Sequence, residues 1–227
     1  MKRFWKDVAV TPEGGIALDG WPVRTPGRLP LVVPFPALAE AIAEEWRAVG
    51  ETIDPRAMPL TGLANAAIER IAPDAPAFAG GIAVYGGSDL LCYRAEPGPL
   101  AQRQAALWDP VLDWARERYG VVFVVTDGVM PVEQPPLTLA RLREAAVALS
   151  PWALAPLSPV VSLLGSLVLG LAVVERAVDA DAAWSAAHVD EDWQAEQWGE
   201  DALAAETRAV REAEYRAAVR FLDLIRA

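Results

Sequence analysis

Residues 8–23, VAVTPEGGIALDGWPV, decide how the first part of the chain is read. Val8 to Val10, Ile16 to Leu18 and Trp21 to Val23 are short β-rich runs, and only Asp19-Gly20 separates Leu18 from Trp21. A two-residue type I′ turn needs positive φ at both central positions, so this dipeptide predicts a tight antiparallel hairpin. Pro22 has no N–H to give to a ladder, which places its strand at an edge. Leu31 to Val33, beyond Pro26-Gly27, reads as a further short strand.

Outward from the hairpin, the hydrophobic period changes at Pro36. Leu38, Ile42, Trp46 and Val49 recur at helical spacing, with Glu40, Glu44 and Arg47 on the other face. A second helix carries Leu60, Leu63, Ala64, Ala67, Ile68 and Ile71. Pro73-Asp74-Ala75-Pro76 is a proline-rich polar step that reads as a boundary. The expected fold class is therefore α+β: a small N-terminal domain of antiparallel strands plus two helices over residues 1–75, followed by a mostly α-helical domain over 76–227.

In the second part, Leu100 to Leu107 predicts a helix and Asp109-Pro110 a restart, with Asp109 as N-cap, Pro110 at the first helical position and Gly120 as terminator. Val121 to Val125 is β-branched and predicts a strand. Beyond it the predicted helices are Leu139 to Leu149, Pro151 to about Pro156, Pro159 to Ala177, Asp181 to Trp198 and Ala202 to Ile225. Thr138, Ser150, Ser158, Asp179 and Asp201 stand at the corresponding N-caps. The most apolar run, Val160 to Val174, falls short of the roughly 20 residues that a membrane span needs and reads as a buried helix.

A chain of 227 residues, 53% hydrophobic and 22% charged, can bury a substantial core. Its net charge of −11 disfavours nucleic acid and anionic membranes as partners and favours a basic or amphipathic protein. One cysteine, Cys92, leaves no intrachain disulfide. The opening MKRFWKDVAV has neither the apolar core of a signal peptide nor a long Arg/Ser-rich transit segment, so a cytoplasmic, bacterial protein is expected, without stable membrane insertion.

The chain offers little catalytic chemistry. Cys92 and His188 form a conceivable nucleophile–base pair, but Cys92 lies between Leu91 and Tyr93 and reads more simply as a packing residue. His188 with Asp190 and Asp192 is a conceivable metal site, yet successive acids on a helix point in different directions. Gly14-Gly15, Gly80-Gly81 and Gly86-Gly87 match no phosphate-binding loop. No cofactor is expected. The stretch His188 to Asp201, HVDEDWQAEQWGED, is the best candidate site. If 181–198 is one helix, Trp184, Glu191 and Trp198 fall seven apart and place a carboxylate between two indoles, an arrangement suited to recognition.

Several motifs carry a family likeness. Lys2-Arg3-Phe4-Trp5-Lys6, Leu18 to Pro26, Met58-Pro59-Leu60-Thr61 with Leu63-Ala64-Asn65, Asp89 to Arg94, Trp108-Asp109-Pro110, Leu164-Gly165-Ser166 and Asp190-Glu191 through Gln194 to Trp198-Gly199 resemble, in order, the ATP synthase assembly chaperones of mitochondria and related bacteria. The resemblance implies a non-enzymatic, monomeric chaperone that binds the free alpha subunit of the catalytic head and prevents its aggregation until it meets the beta subunit. It carries over Glu191 as the functional acid, with Asp190, Gln194, Trp198 and Gly199 around it, and Trp46 as an anchor of the first domain. Val189 departs from the leucine common before the acidic pair. A Cys92/His188 hydrolase or transferase, and an acidic adaptor for another basic protein, are the competing readings.

Overall fold

Asp19 and Gly20 have φ of 48° and 82°, the two positive values that the hairpin turn demands. The computed structural model describes residues 2–128, 130–199 and 201–227. Around this turn β1 (Val8–Val10), β2 (Ile16–Leu18) and β3 (Trp21–Pro22) form an antiparallel sheet in the order β1-β2-β3, with Val8 opposite Leu18 and Leu18 opposite Trp21. Pro22 thus lies on an edge strand, as expected. The Asp19 carboxylate also accepts from the N–H groups of Asp7 at 2.8 Å and Lys6 at 3.1 Å, and these bonds hold it below the usual carboxylate range. Leu31 to Val33 does not become a strand. It makes isolated bridges, Gly15 with Val32 and Arg24 with Pro30, because Pro30 and Pro34 interrupt any ladder on both sides.

Helix α1 (Pro36–Ala48) buries Leu38, Ala39, Ile42 and Ala43, as its spacing predicts. Helix α2 (Pro59–Ala66) begins on the side chain of Glu45, which accepts from the N–H groups of Leu60 and Thr61 at 2.8 Å each and from the Thr61 hydroxyl at 2.7 Å. A carboxylate from another helix thereby satisfies donors that α2 would otherwise leave orphaned. Trp46 is half-buried, edge-on to Trp5 at 5.3 Å, while Trp5 donates through Nε1 to the Trp46 carbonyl at 3.4 Å. The 73–76 step is not an open linker: short helical turns lead directly into α3 (Ala75–Ala83).

The chain divides into two compact units. The first comprises Met1–Ala75, Ser150–Pro156 and Arg216–Ala227; the second comprises Pro76–Leu149 and Leu157–Tyr215. The expectation had 76–227 in one piece, whereas Trp152 and Phe221 belong to the first unit, where Trp152 lies edge-on to Phe35 at 5.7 Å and stacks with Phe221 at 6.2 Å. These rings bury apolar area there, which is what draws two distant segments into its core.

The second unit is almost entirely helical. Strand β4 (Tyr93–Arg94) leads to α4 (Pro99–Tyr119), a single helix in which Asp109-Pro110 is interior rather than a restart. Trp108, Val111, Leu112 and Ala115 are buried on both sides of the proline, so packing carries the helix through it. Asp109 is not a cap; it accepts from Arg94 Nη2 at 2.7 Å. Gly120, with φ of 63°, ends the helix as expected.

Residues 121–125 correct the strand prediction in an instructive way. Among the described residues the strand that forms nearby is β5 (Thr126–Asp127), parallel to β4. The Val122 and Val124 backbones pair instead with side chains of the segment that follows. Thr138 Oγ1 donates to the Val122 carbonyl at 2.6 Å, while Gln134 Oε1 accepts from Val124 N–H at 3.0 Å and Gln134 Nε2 donates to its carbonyl at 2.8 Å. Thr138 is therefore inside α5 (Pro136–Val147), not its cap.

Helix α6 (Pro151–Leu164) runs through Pro156 and Pro159 without the predicted break. The break falls at Gly165, φ 65°, and Ser166, whose hydroxyl accepts from Leu169 N–H to cap α7 (Leu167–Val174). Ser158 lies inside α6 rather than at its start, whereas Ser150 Oγ accepts from Ala153 N–H at 3.3 Å. The predicted helix 181–198 is two helices, α8 (Ala180–Ala187) and α9 (Val189–Trp198), and α10 (Ala202–Leu224) follows. Asp179 and Asp201 cap α8 and α10 as read from the sequence. Among the described residues, no helix is long and apolar enough to cross a membrane.

Candidate functional site

The turn at His188 reorganises the stretch that the sequence singled out. His188 ends α8 with its N–H shared between the Trp184 and Ser185 carbonyls, and its ring lies tilted against Trp184 with centroids 3.8 Å apart. Its Nδ1 lies 2.8 Å from the Trp184 carbonyl, and burial pushes the imidazole below its ordinary value. Trp184 is itself buried against Tyr215, whose hydroxyl donates to the Ala180 carbonyl at 2.8 Å. Trp184 and Trp198 are thus on different helices, the first in the core and the second 77% exposed. The single-face arrangement of Trp184, Glu191 and Trp198 does not form, because the backbone leaves the helical path between the first of them and the other two.

The acids of α9 separate by partner. Asp190 accepts from Gln104 Nε2 at 2.7 Å, and the same buried glutamine accepts from Ala95 N–H at 2.8 Å. Asp192 pairs with Arg208 of α10. Glu196 pairs with Arg103 at 2.8 Å, which holds its carboxyl below the usual range, and Arg103 also lies 4.7 Å over the Trp193 ring. Asp190 and Glu196 tie α9 to α4, and Asp192 ties it to α10. Glu191 is left with the weakest engagement of the four: Arg211 Nη1 is 3.7 Å from its carboxylate, and both side chains are about half exposed, 40% and 50%.

Between α9 and α10 lies a groove of about 670 Å³ lined by Glu191, Gln194, Trp198, Gly199, Leu203 and Arg211 among others. Of the five partner-binding residues carried over from the family likeness, four meet here; Asp190 does not line it and acts on the position of α9 through Gln104. Gly199, φ 89°, ends α9 and lets the chain turn back toward α10. Leu203, 73% exposed, adds a second apolar side chain that the sequence reading did not single out. Gln104 was also missed, although its place four residues before Trp108 on an otherwise apolar helix face was a usable signal.

Cys92 is fully buried and its thiol is pushed up to about 12 by desolvation, which removes the thiolate a nucleophile needs. His188, Asp190 and Asp192 turn to Trp184, Gln104 and Arg208 respectively rather than converging.

Charge is distributed unevenly between the two units. The first holds eleven Lys and Arg against eleven Asp and Glu; the second holds nine against twenty and so carries the whole net charge of −11. The groove belongs to the charged unit.

A family model described as ATP12 chaperone protein matches residues 2–116. Among solved structures, Atp12 from Paracoccus denitrificans is 46% identical with a TM-score of 0.92, covering 99% of this chain and 98% of that one. A point mutant of the same P. denitrificans protein matches at 46% identity and a TM-score of 0.91, over 99% and 97%. A protein of Agrobacterium tumefaciens for which a chaperone role has been suggested matches at 45% and 0.89, over 99% of this chain and 86% of that one.

Proposed function

The chain belongs to the ATP12 chaperone family, and on that premise we propose that it is a non-enzymatic, monomeric, cytoplasmic assembly factor for ATP synthase. It binds the free alpha subunit of the catalytic head, keeps it from aggregating, and yields it when the beta subunit pairs with it. The observation that carries the site assignment is the groove between α9 and α10, which the half-exposed Glu191 carboxylate and the exposed indole of Trp198 both line. A carboxylate whose nearest ion pair, to Arg211, is as long as 3.7 Å can accept a charge-assisted bond from a client lysine or arginine, and the apolar side chains of the same groove help to exclude water once it is occupied. The −11 charge of the helical unit steers a basic surface toward this groove at long range.

In this proposal Glu191, Gln194, Trp198 and Gly199 meet the client, while Asp190 fixes the position of the helix that presents them. The two structural units have different tasks: the helical one holds the client site, and the sheet-containing one, anchored by Trp46, is a scaffold. The test is recovery of the alpha subunit from lysate and from a purified mixture. Glu191→Lys is expected to abolish recovery while leaving the thermal melt nearly unchanged. Strong recovery of some other basic protein, with no alpha subunit, would contradict the assignment.

A further inference from the structure

The groove already contains a cation of the chain's own. Arg211 Nη1 stands 3.7 Å from Glu191, and its Nη2 donates to the Leu163 carbonyl at 3.3 Å, so this guanidinium is shared between a carboxylate and a backbone oxygen. The neighbouring Arg208 is committed to Asp192 at 2.5 Å. The two arginines lining the groove are therefore unequal: one has a close partner, and the other stands at a looser distance from the half-exposed carboxylate. In the same groove, Trp198 and Leu203 are 77% and 73% exposed. An exposed pair at this separation is weak, because solvent screens it and the long side chains give up entropy to hold it.

We propose that Arg211 is a resident competitor for Glu191, and that the groove takes a short amphipathic segment of a protein client. One lysine or arginine of that segment replaces Arg211 at Glu191, and its apolar side chains cover Trp198 and Leu203. The charge balance supports this occupant: Glu191 and Asp201 supply negative charge to the lining and Arg208 is already balanced by Asp192, so Arg211 offsets only part of that charge and an incoming cation at Glu191 meets a lining that is net acidic. Displaced from Glu191, Arg211 keeps its bond to the Leu163 carbonyl, so the exchange strands no buried charge. Arg211 thereby sets a threshold. Clients with a well-placed cation and apolar flanks exceed it, and isolated surface lysines do not.

This inference rests on the alpha-subunit reading, and its test separates the two. Purified alpha subunit is titrated into the full chain and into Arg211→Met, Glu191→Gln and the double variant, with each variant's thermal melt recorded. Methionine keeps the apolar stem and removes the charge. Arg211→Met is expected to bind about two- to fivefold more tightly, the range that loss of an exposed competing pair allows. Glu191→Gln binds more weakly, and in that background Arg211→Met gains nothing. An Arg211→Met variant with intact melting that binds equally or more weakly overturns the competitor role, as does an equal gain in the Glu191→Gln background. Absence of binding by the unaltered chain would instead refute the alpha-subunit reading itself.

Discussion

Replacing Gln104 by glutamate keeps the shape of a buried side chain and inverts one of its two hydrogen bonds. Gln104 is 1% exposed; its Oε1 accepts from Ala95 N–H at 2.8 Å and its Nε2 donates to Asp190 Oδ1 at 2.7 Å. In Gln104→Glu the first bond survives. The second becomes two carboxyl groups in contact, and at pH 8 the variant loses a charge-assisted bond, about 1.5–3 kcal/mol. Two ionised carboxylates about 4 Å apart at an effective dielectric of 20 would add about 4 kcal/mol of repulsion. The pair avoids most of that by retaining one proton, which then bridges the two oxygens. The introduced carboxyl therefore has a folded-state pKa raised above its unfolded value. The stability it supports is present at low pH and is lost as pH rises through the raised value. The expected deficit is about 2–4 kcal/mol at pH 8 and under about 1 kcal/mol near pH 5. Urea midpoints followed by tryptophan fluorescence at the two pH values read it directly. Since Asp190 positions α9, alpha-subunit binding should weaken in parallel at pH 8 and recover at pH 5. A deficit equal at both pH values, or none at pH 8, would refute the claim that Gln104 and Asp190 hold this helix.

Three further outcomes follow from the packing. Gly170→Ala places a Cβ 2.5 Å from Val161 Cγ2 and 3.1 Å from Leu157 Cδ1; overpacking of about 1–3 kcal/mol outweighs a helix-propensity gain of about 1 kcal/mol, and the urea midpoint should fall. Gln134→Leu removes both bonds to the Val124 backbone, about 1 kcal/mol each, and amide exchange at Val124 should accelerate while exchange in the first unit stays unchanged. Asp89, fully buried at the start of α7, accepts from Leu91 and Val168 N–H, yet desolvation raises its carboxyl from 3.8 to about 6. Folding therefore takes up a proton between these values. The stability gained is present below about pH 4 and lost as pH rises through about 6, some 3 kcal/mol in all; a carboxyl-carbon NMR titration of Asp89 with a midpoint near 4 would contradict it.

What the sequence made legible was local. Asp19-Gly20 specifies its turn because the required φ values belong to those two residues alone, and Gly120, Asp179 and Asp201 end or begin helices by the same short-range logic. The errors arise where a distant partner decides. Pro110 sits inside α4 because Trp108 and Val111 are buried on either side of it, and Val121 to Val125 lacks a strand partner because Gln134 and Thr138 occupy its backbone groups. The break at His188 has no glycine or proline to announce it; the turn is held by the ring of His188 against Trp184. Glu191, Gln194, Trp198 and Gly199 were found in sequence as neighbours, but their common groove depends on α10 folding back beside α9, which brings in Leu203 and Arg211 from a segment that no local pattern connects to them.

The most direct test is a titration of purified alpha subunit into the unaltered chain and into Glu191→Lys, with Trp198→Ala as the apolar counterpart. The account predicts measurable binding by the unaltered chain, its loss in Glu191→Lys and at least a tenfold weakening in Trp198→Ala, about 1.4 kcal/mol or more, with all three proteins melting alike. Unchanged affinity in a folded Glu191→Lys variant would contradict it, since the carboxylate of α9 would then have no part in holding the client.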